Sequence, residues 1–199
     1  MSDPNRLPGA RDVRTTLDGT GGDAVVVACP PHPEFGGDRH DARLRAVSDA
    51  LGERGIDCLR IDYGAWDGGR GERTDVLTAL SWARGEYDRV GLFGYSFGGA
   101  VALSAAVHAD GDEQPAAVSA LAPAAGSVDG FDPAELAGVA FPGQVVYGER
   151  DDSADWRPVV EAAREFGWTV EAMPSDHFFV SQRERVGDLV GGFLADALK

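Results

Sequence analysis

The stretch Val90-Gly91-Leu92-Phe93-Gly94-Tyr95-Ser96-Phe97-Gly98-Gly99-Ala100 decides the fold. An apolar strand runs into a G-x-S-x-G turn, and a helix of small residues follows. This is the pattern of a nucleophile elbow, in which the serine is held in a strained backbone conformation and its neighbours must be nearly free of side chain. Gly94 and Gly98 meet that demand, and Gly99 and Ala100 let the helix pack closely. Glycine and serine are common residues, so the five-residue pattern draws its meaning from its place between strand and helix. Ser96 is therefore a candidate nucleophile.

Outward from the elbow, strand-like and helix-like stretches alternate along the whole chain. Short apolar or β-branched runs at 24–29, 56–63, 89–94, 116–121, 143–147 and 169–173 read as strands. Helical spacing appears at 38–54, with Leu44, Val47, Ala50 and Leu51 on one face, and at 72–84, 154–166 and 180–198. The nearly uniform apolar run 97–109 reads as a buried helix. A short helix is expected at 132–138 and an additional edge strand at 12–17. Strands separated by helices imply βαβ units, a mostly parallel central sheet and helices on both faces. The chain is expected to be one α/β domain over 1–199, with 1–11 a poorly ordered N-terminal segment. The glycine-rich stretch 64–71 follows a strand, at the sheet edge where open α/β sheets carry their sites.

A serine hydroxyl is a poor nucleophile at neutral pH. It needs a base within hydrogen-bond reach and a carboxylate to orient that base. On an elbow these follow later strands, in the order Ser, then Asp or Glu, then His. After the strand 143–147 comes Gly148-Glu149-Arg150-Asp151-Asp152, and after the strand 169–173 comes Pro174-Ser175-Asp176-His177-Phe178-Phe179. Asp151 is the candidate acid, with Asp152 as the alternative, and His177 is the candidate base. His108 ends the elbow helix, where a cation favours the helix C-terminus instead.

Stabilising an oxyanion takes two backbone N–H groups. One is expected from Phe97, directly after the nucleophile. The other is expected from Cys29-Pro30-Pro31-His32-Pro33-Glu34-Phe35-Gly36-Gly37, where Pro30, Pro31 and Pro33 have no N–H. Beyond His32 the first donors are Glu34, which is preferred, and then Phe35. His32 is either a brace for this loop or an ordinary loop histidine.

Composition sets the outer bounds. Asp and Glu number 33 against 18 Lys and Arg, a formal net charge of −15. Such a surface disfavours nucleic acid and anionic membranes, which call for basic patches. Lys199 is the only lysine. Strong negative charge with almost no lysine points to adaptation to high salt, where screening suppresses self-repulsion. No run approaches the roughly 18 apolar residues of a membrane span. The polar stretch 1–16 lacks the apolar core of a signal peptide, so a cytoplasmic location is expected. Cys29 ends one strand and Cys58 begins the next. At about 3.3 Å per residue they stand more than about 10 Å apart, too far for a disulfide. No spacing of metal ligands stands out, and no metal is expected.

Taken together, the loop Pro31-His32-Pro33-Glu34-Phe35-Gly36-Gly37, the elbow, Gly148-Glu149-Arg150-Asp151 and Asp176-His177-Phe178-Phe179 resemble the α/β-hydrolase superfamily. More narrowly, they resemble its small, lidless, dienelactone-hydrolase-like branch. The likeness covers the chain from about Val25 onward. It implies the α/β-hydrolase fold without a large lid, a Ser96–Asp151–His177 triad, and hydrolysis of an ester-type bond with no cofactor. Dienelactone hydrolases proper use cysteine where this chain has Ser96. Asp62-Tyr63-Gly64-Ala65-Trp66-Asp67 stands where relatives carry an N-F-R-G type of turn.

Tyr63, Trp66, Tyr95 and Phe178 are candidates to line an apolar pocket for a small, uncharged or weakly polar ester, since an acidic surface disfavours anions. Two other readings use the same residues: acyl transfer to an acceptor other than water, and a non-catalytic binding protein on a hydrolase fold.

Overall fold

The computed structural model describes residues 6–9, 11–19 and 21–199. Its strands are β1 (Arg14–Asp18), β2 (Ala24–Cys29), β3 (Asp57–Asp62), β4 (Arg89–Tyr95), β5 (Ala117–Leu121), β6 (Gly143–Gly148) and β7 (Thr169–Met173). Its helices are α1 (Ala42–Gly52), α2 (Arg70–Glu86), α3 (Phe97–His108), α4 (Arg157–Glu165) and α5 (Arg183–Ala197). The strands form one sheet in the order β1-β3-β2-β4-β5-β6-β7. β1 runs antiparallel to β3, and every other pairing is parallel. The sheet is thus mostly parallel, as the alternation implies, and β1 is the additional edge strand.

Helices cover both faces of the sheet. Leu44, Val47 and Leu51 of α1 meet Val186, Val190 and Leu194 of α5 in the core on one face. Val76 and Leu80 of α2, Val101 and Leu103 of α3, and Val159 of α4 belong to the core on the other. β2 is buried at every position. That explains why it reads as an unbroken apolar run rather than an alternating one.

Polar side chains move several boundaries away from where the periodicity puts them. α1 starts at Ala42 because the Asp41 carboxylate accepts the Arg43 N–H at 2.8 Å. α2 starts early, at Arg70, because Glu72 accepts the N–H groups of Gly69 at 2.8 Å and Asp67 at 2.9 Å. α4 starts late, because the Asp151 carboxylate takes the N–H groups of Ser153 and Ala154. The short helix expected at 132–138 is a 3-10 turn, Pro133–Gly138, capped by Asp132. The connection from β5 to β6 therefore carries no lid-sized insertion.

Part of the expected terminal segment 1–11 lies outside the described residues. Within it Leu7 is buried, and its N–H donates to the Val13 carbonyl at 3.0 Å. No helix among the described residues is long and apolar enough to cross a membrane. Cys29 and Cys58 are buried free thiols.

Candidate active site

β4 delivers Ser96 to the C-terminal edge of the sheet. The turn is tight in the sense the sequence requires: a Cβ on Gly94 would lie 2.0 Å from the Gly98 carbonyl oxygen. A Cβ on Gly98 would lie 2.3 Å from the carbonyl oxygens of Cys29 and Pro30. Ser96 has φ 57°, a left-handed conformation that costs an L-residue energy. Its N–H donates to the Leu121 carbonyl at 2.8 Å, and its own carbonyl accepts from Gly99 at 2.9 Å. Ala122 and Phe179 are the other two non-glycine residues with positive φ among those described. They directly follow β5 and the His177-Phe178 pair, so backbone strain gathers along this one edge.

Asp151 and His177 arrive on the loops after β6 and β7. Backbone bonds zip those loops together: Glu149 N–H donates to the Met173 carbonyl and Arg150 N–H to that of Ser175. Asp151 is buried, with Oδ1 accepting from the N–H groups of Ser153 at 2.9 Å and Ala154 at 3.1 Å. Its Oδ2 lies 2.7 Å from His177 Nδ1, and His177 Nε2 lies 3.0 Å from Ser96 Oγ. A carboxylate only accepts, so Nδ1 carries the proton and Nε2 accepts from the serine hydroxyl. Asp152 points to solvent. His108 is elsewhere, bonded to the Ser104 carbonyl through Nδ1.

The loop after β2 settles differently from the expectation for Glu34 and Phe35. Glu34 N–H donates to His32 Nδ1 at 3.3 Å. Phe35 N–H and Gly37 N–H both donate to the His32 carbonyl, and Gly36 N–H to that of Pro33. Those amides are consumed in a short 3-10 turn. Prolines supply none, so the His32 N–H is the one donor of the loop without an acceptor among the described residues. His32 also braces the loop: its ring centroid lies 4.4 Å from Trp66, 4.7 Å from Phe35 and 4.8 Å from Phe97. The Phe97 N–H, at the first turn of α3, is likewise uncommitted, as the opening amides of a helix are.

A cavity of about 550 Å³ opens beside Ser96 and His177. Tyr95 and Phe178 line it, together with Phe35, Arg43 and Asp41. Tyr63 and Trp66, expected in its wall, are not part of it. Tyr63 is buried with its hydroxyl donating to the Pro30 carbonyl at 3.2 Å, and Trp66 lies behind His32. The Tyr95 hydroxyl donates to the His177 carbonyl at 3.0 Å, which fixes the base loop from below. Burial pushes the Tyr95 phenol well up, so the hydroxyl keeps its proton.

Arg43 was not legible as a site residue. It sits on α1 with its guanidinium 4.5 Å above the Tyr95 ring, paired to Asp41 and 3.5 Å from the Phe178 carbonyl. Its place on the polar side of an amphipathic helix gave no signal. Among the described residues no group of three or more His, Cys, Asp or Glu side chains is arranged to hold a metal ion.

No protein-family model and no curated protein matches the sequence. Solved structures match over nearly the whole chain. A lidless α/β serine hydrolase from Xanthomonas campestris is 25% identical, with a TM-score of 0.77 over 96% of this chain and 93% of its own. A dienelactone hydrolase from Anabaena variabilis is 19% identical, with a TM-score of 0.76 over 96% and 94%. An esterase from Pyrococcus furiosus is 14% identical, with a TM-score of 0.78 over 98% and 89%. The fold is that of the α/β-hydrolases. Like the Xanthomonas campestris structure, described as lidless, this one carries no lid-sized insertion between β5 and β6.

Proposed function

We propose that the protein is a serine hydrolase that cleaves a neutral carboxylic ester through an acyl-enzyme. The observation that carries this reading is the unbroken chain Ser96 Oγ, His177 Nε2, His177 Nδ1, Asp151 Oδ2, with links of 3.0 and 2.7 Å, opening onto a cavity. His177 takes the Ser96 proton as Oγ attacks the carbonyl carbon. Asp151 holds the imidazole in the tautomer that can accept and favours the imidazolium that forms. The N–H groups of Phe97 and His32 receive the developing oxyanion. His177 then gives its proton to the leaving alkoxide. Water deprotonated by the same nitrogen splits the acyl-enzyme to the acid. No cofactor takes part in this sequence of steps.

The test is labelling with a fluorophosphonate, with mass mapping of the adduct, in wild type and Ser96→Ala. A single adduct on Ser96, together with ester turnover that falls at least about 10⁴-fold in the variant, is the expected result. A folded wild type that neither labels nor turns over any ester leaves a binding protein on this fold. The charge of −15 further supports a salt-adapted protein. Its melting temperature is accordingly expected to rise between low and multimolar salt, as screening relieves self-repulsion.

A further inference from the structure

Two of the five large apolar side chains left exposed among the described residues, Phe35 and Phe178, line the Ser96 cavity, and the other exposed aromatic, Trp66, packs against His32 of its wall. Phe35 is 88% exposed and Phe178 52% exposed, and both line the cavity. Trp66 backs His32, and Val180 follows Phe178 on the same loop. Scattered exposed apolar residues are ordinary, but a cluster at a site is not, least of all on a surface this charged. The two aromatic rings are also held in place. Phe35 rides on a turn stiffened by three prolines, with its ring against His32. Phe178 stands edge-on to His177 at 5.5 Å, and its N–H is tied to Asp176 at 3.0 Å. Rigid aromatic walls lose little entropy on binding.

Charge narrows the choice of ligand. Arg43 is the only Arg or Lys in the wall, and its guanidinium is occupied by Asp41 on one side and by the Tyr95 ring on its face. Asp41 lines the same wall and offsets that charge, so although Arg43 Nε has no hydrogen-bond partner among the described residues, the wall offers no net positive charge to a substrate carboxylate. The cavity, at about 550 Å³, is also far larger than a two-carbon acyl group needs and lies in the range of drug-sized ligands.

We infer that the substrate is a neutral ester bearing an extended apolar group, an arene or a medium-length chain, gripped between Phe35 and Phe178; this rests on the serine-hydrolase reading above. The test is a series of p-nitrophenyl esters from acetate to octanoate, with a parallel series of alkyl acetates. In at least one series kcat/KM should rise about twofold per methylene, half of the roughly fourfold expected for full burial. Phe35→Ala and Phe178→Ala should flatten that rise, mainly through KM, while Phe35→Leu keeps it. An ester of the same length ending in a carboxylate should react at least about tenfold more slowly than its methyl-ended counterpart.

Two flat series overturn the inference, as does a rise that both alanine variants retain, or equal rates for charged and neutral esters. Sedimentation showing a wild-type dimer that Phe35→Ala splits also overturns it, because the rim is then covered by a second copy. If a variant does not fold, the wild-type series decides alone. Absence of fluorophosphonate labelling at Ser96 is a separate failure, that of the hydrolase reading itself.

Discussion

The loop of residues 30–37 leaves β2, and the loop of residues 63–69 leaves the adjacent β3, at the same edge of the sheet. The two are held in opposite ways. The first is tied by its own backbone, with prolines and the His32 carbonyl and imidazole absorbing its amides. The second, rich in glycine, is tied by distant charges. Gly64 N–H donates to Asp75, the N–H groups of Asp67 and Gly69 donate to the fully buried Glu72, and Arg11 reaches in to Asp75 and the Ala65 carbonyl. Burial pushes the Asp75 carboxyl above its usual range even with Arg11 beside it. The first loop spends its donors on itself and leaves one amide, that of His32, without an acceptor among the described residues. The second serves as scaffold, and its tyrosine and tryptophan support the site from behind. Glycine content therefore did not identify the functional loop; the absence of N–H groups did.

The comparison can be broken at several points. The largest effect should be chemical and shared by both strands beneath the loops. Burial raises both thiols, Cys58 to about 12. A raised value keeps the thiol protonated, so at pH 8 the reactive thiolate of Cys58 should be about a thousandfold scarcer than in an ordinary cysteine. Iodoacetamide followed by mass spectrometry should find both cysteines unmodified in the folded protein and modified in urea. Rapid alkylation in the fold would mean that these strands open.

Gly37→Ala should strike the first loop next hardest. Its Cβ would fall 2.2 Å from the Pro31 carbonyl oxygen and 2.9 Å from that of His32, displacing the peptide that carries the free amide. A fall in kcat of about 100-fold, the scale of one lost oxyanion donor, with KM changed far less, is the expected steady-state result. An unchanged kcat would remove His32 from that role.

Glu72→Ala strikes the second loop. It strands the buried Gly69 amide and the partly buried one of Asp67 and weakens the anchoring of Arg11, at a cost of about 3 kcal/mol. Thermal melting should show a Tm lower by about 6–12 °C, with kcat of the folded enzyme within about threefold of wild type. A collapse of kcat without loss of stability would make the glycine loop part of the chemistry. The smallest effect belongs to Glu34→Ala, whose side chain bonds to nothing in the site. Its kcat/KM should stay within about twofold.

Much of this was legible because chain order in a parallel sheet dictates which loops share an edge. The elbow pattern put Ser96 after β4, and the order of acid then base put Asp151 and His177 after β6 and β7. The choice between Asp151 and Asp152 was not so legible. It depends on which carboxylate the Ser153 and Ala154 amides turn inward, a matter of one residue of backbone rotation. Tyr63 and Trp66 read as pocket residues because composition cannot say which face of a loop meets the cavity. Glu34 looked like a donor because a sequence shows which residues possess an N–H, not which have already used it.

The sequence by itself determined the layered α/β architecture, the position of the strained turn, and the list of groups able to act as nucleophile, base and acid. These follow from periodicity, from glycine and proline sterics, and from side-chain chemistry, all of which are local. The tertiary structure decided which amide of the β2 loop stays free, that Arg11 locks a loop more than fifty residues away, and that Phe35 and Phe178 line the same cavity. These are competitions for hydrogen-bond partners and for space among residues far apart in the chain, and no local pattern records their outcome.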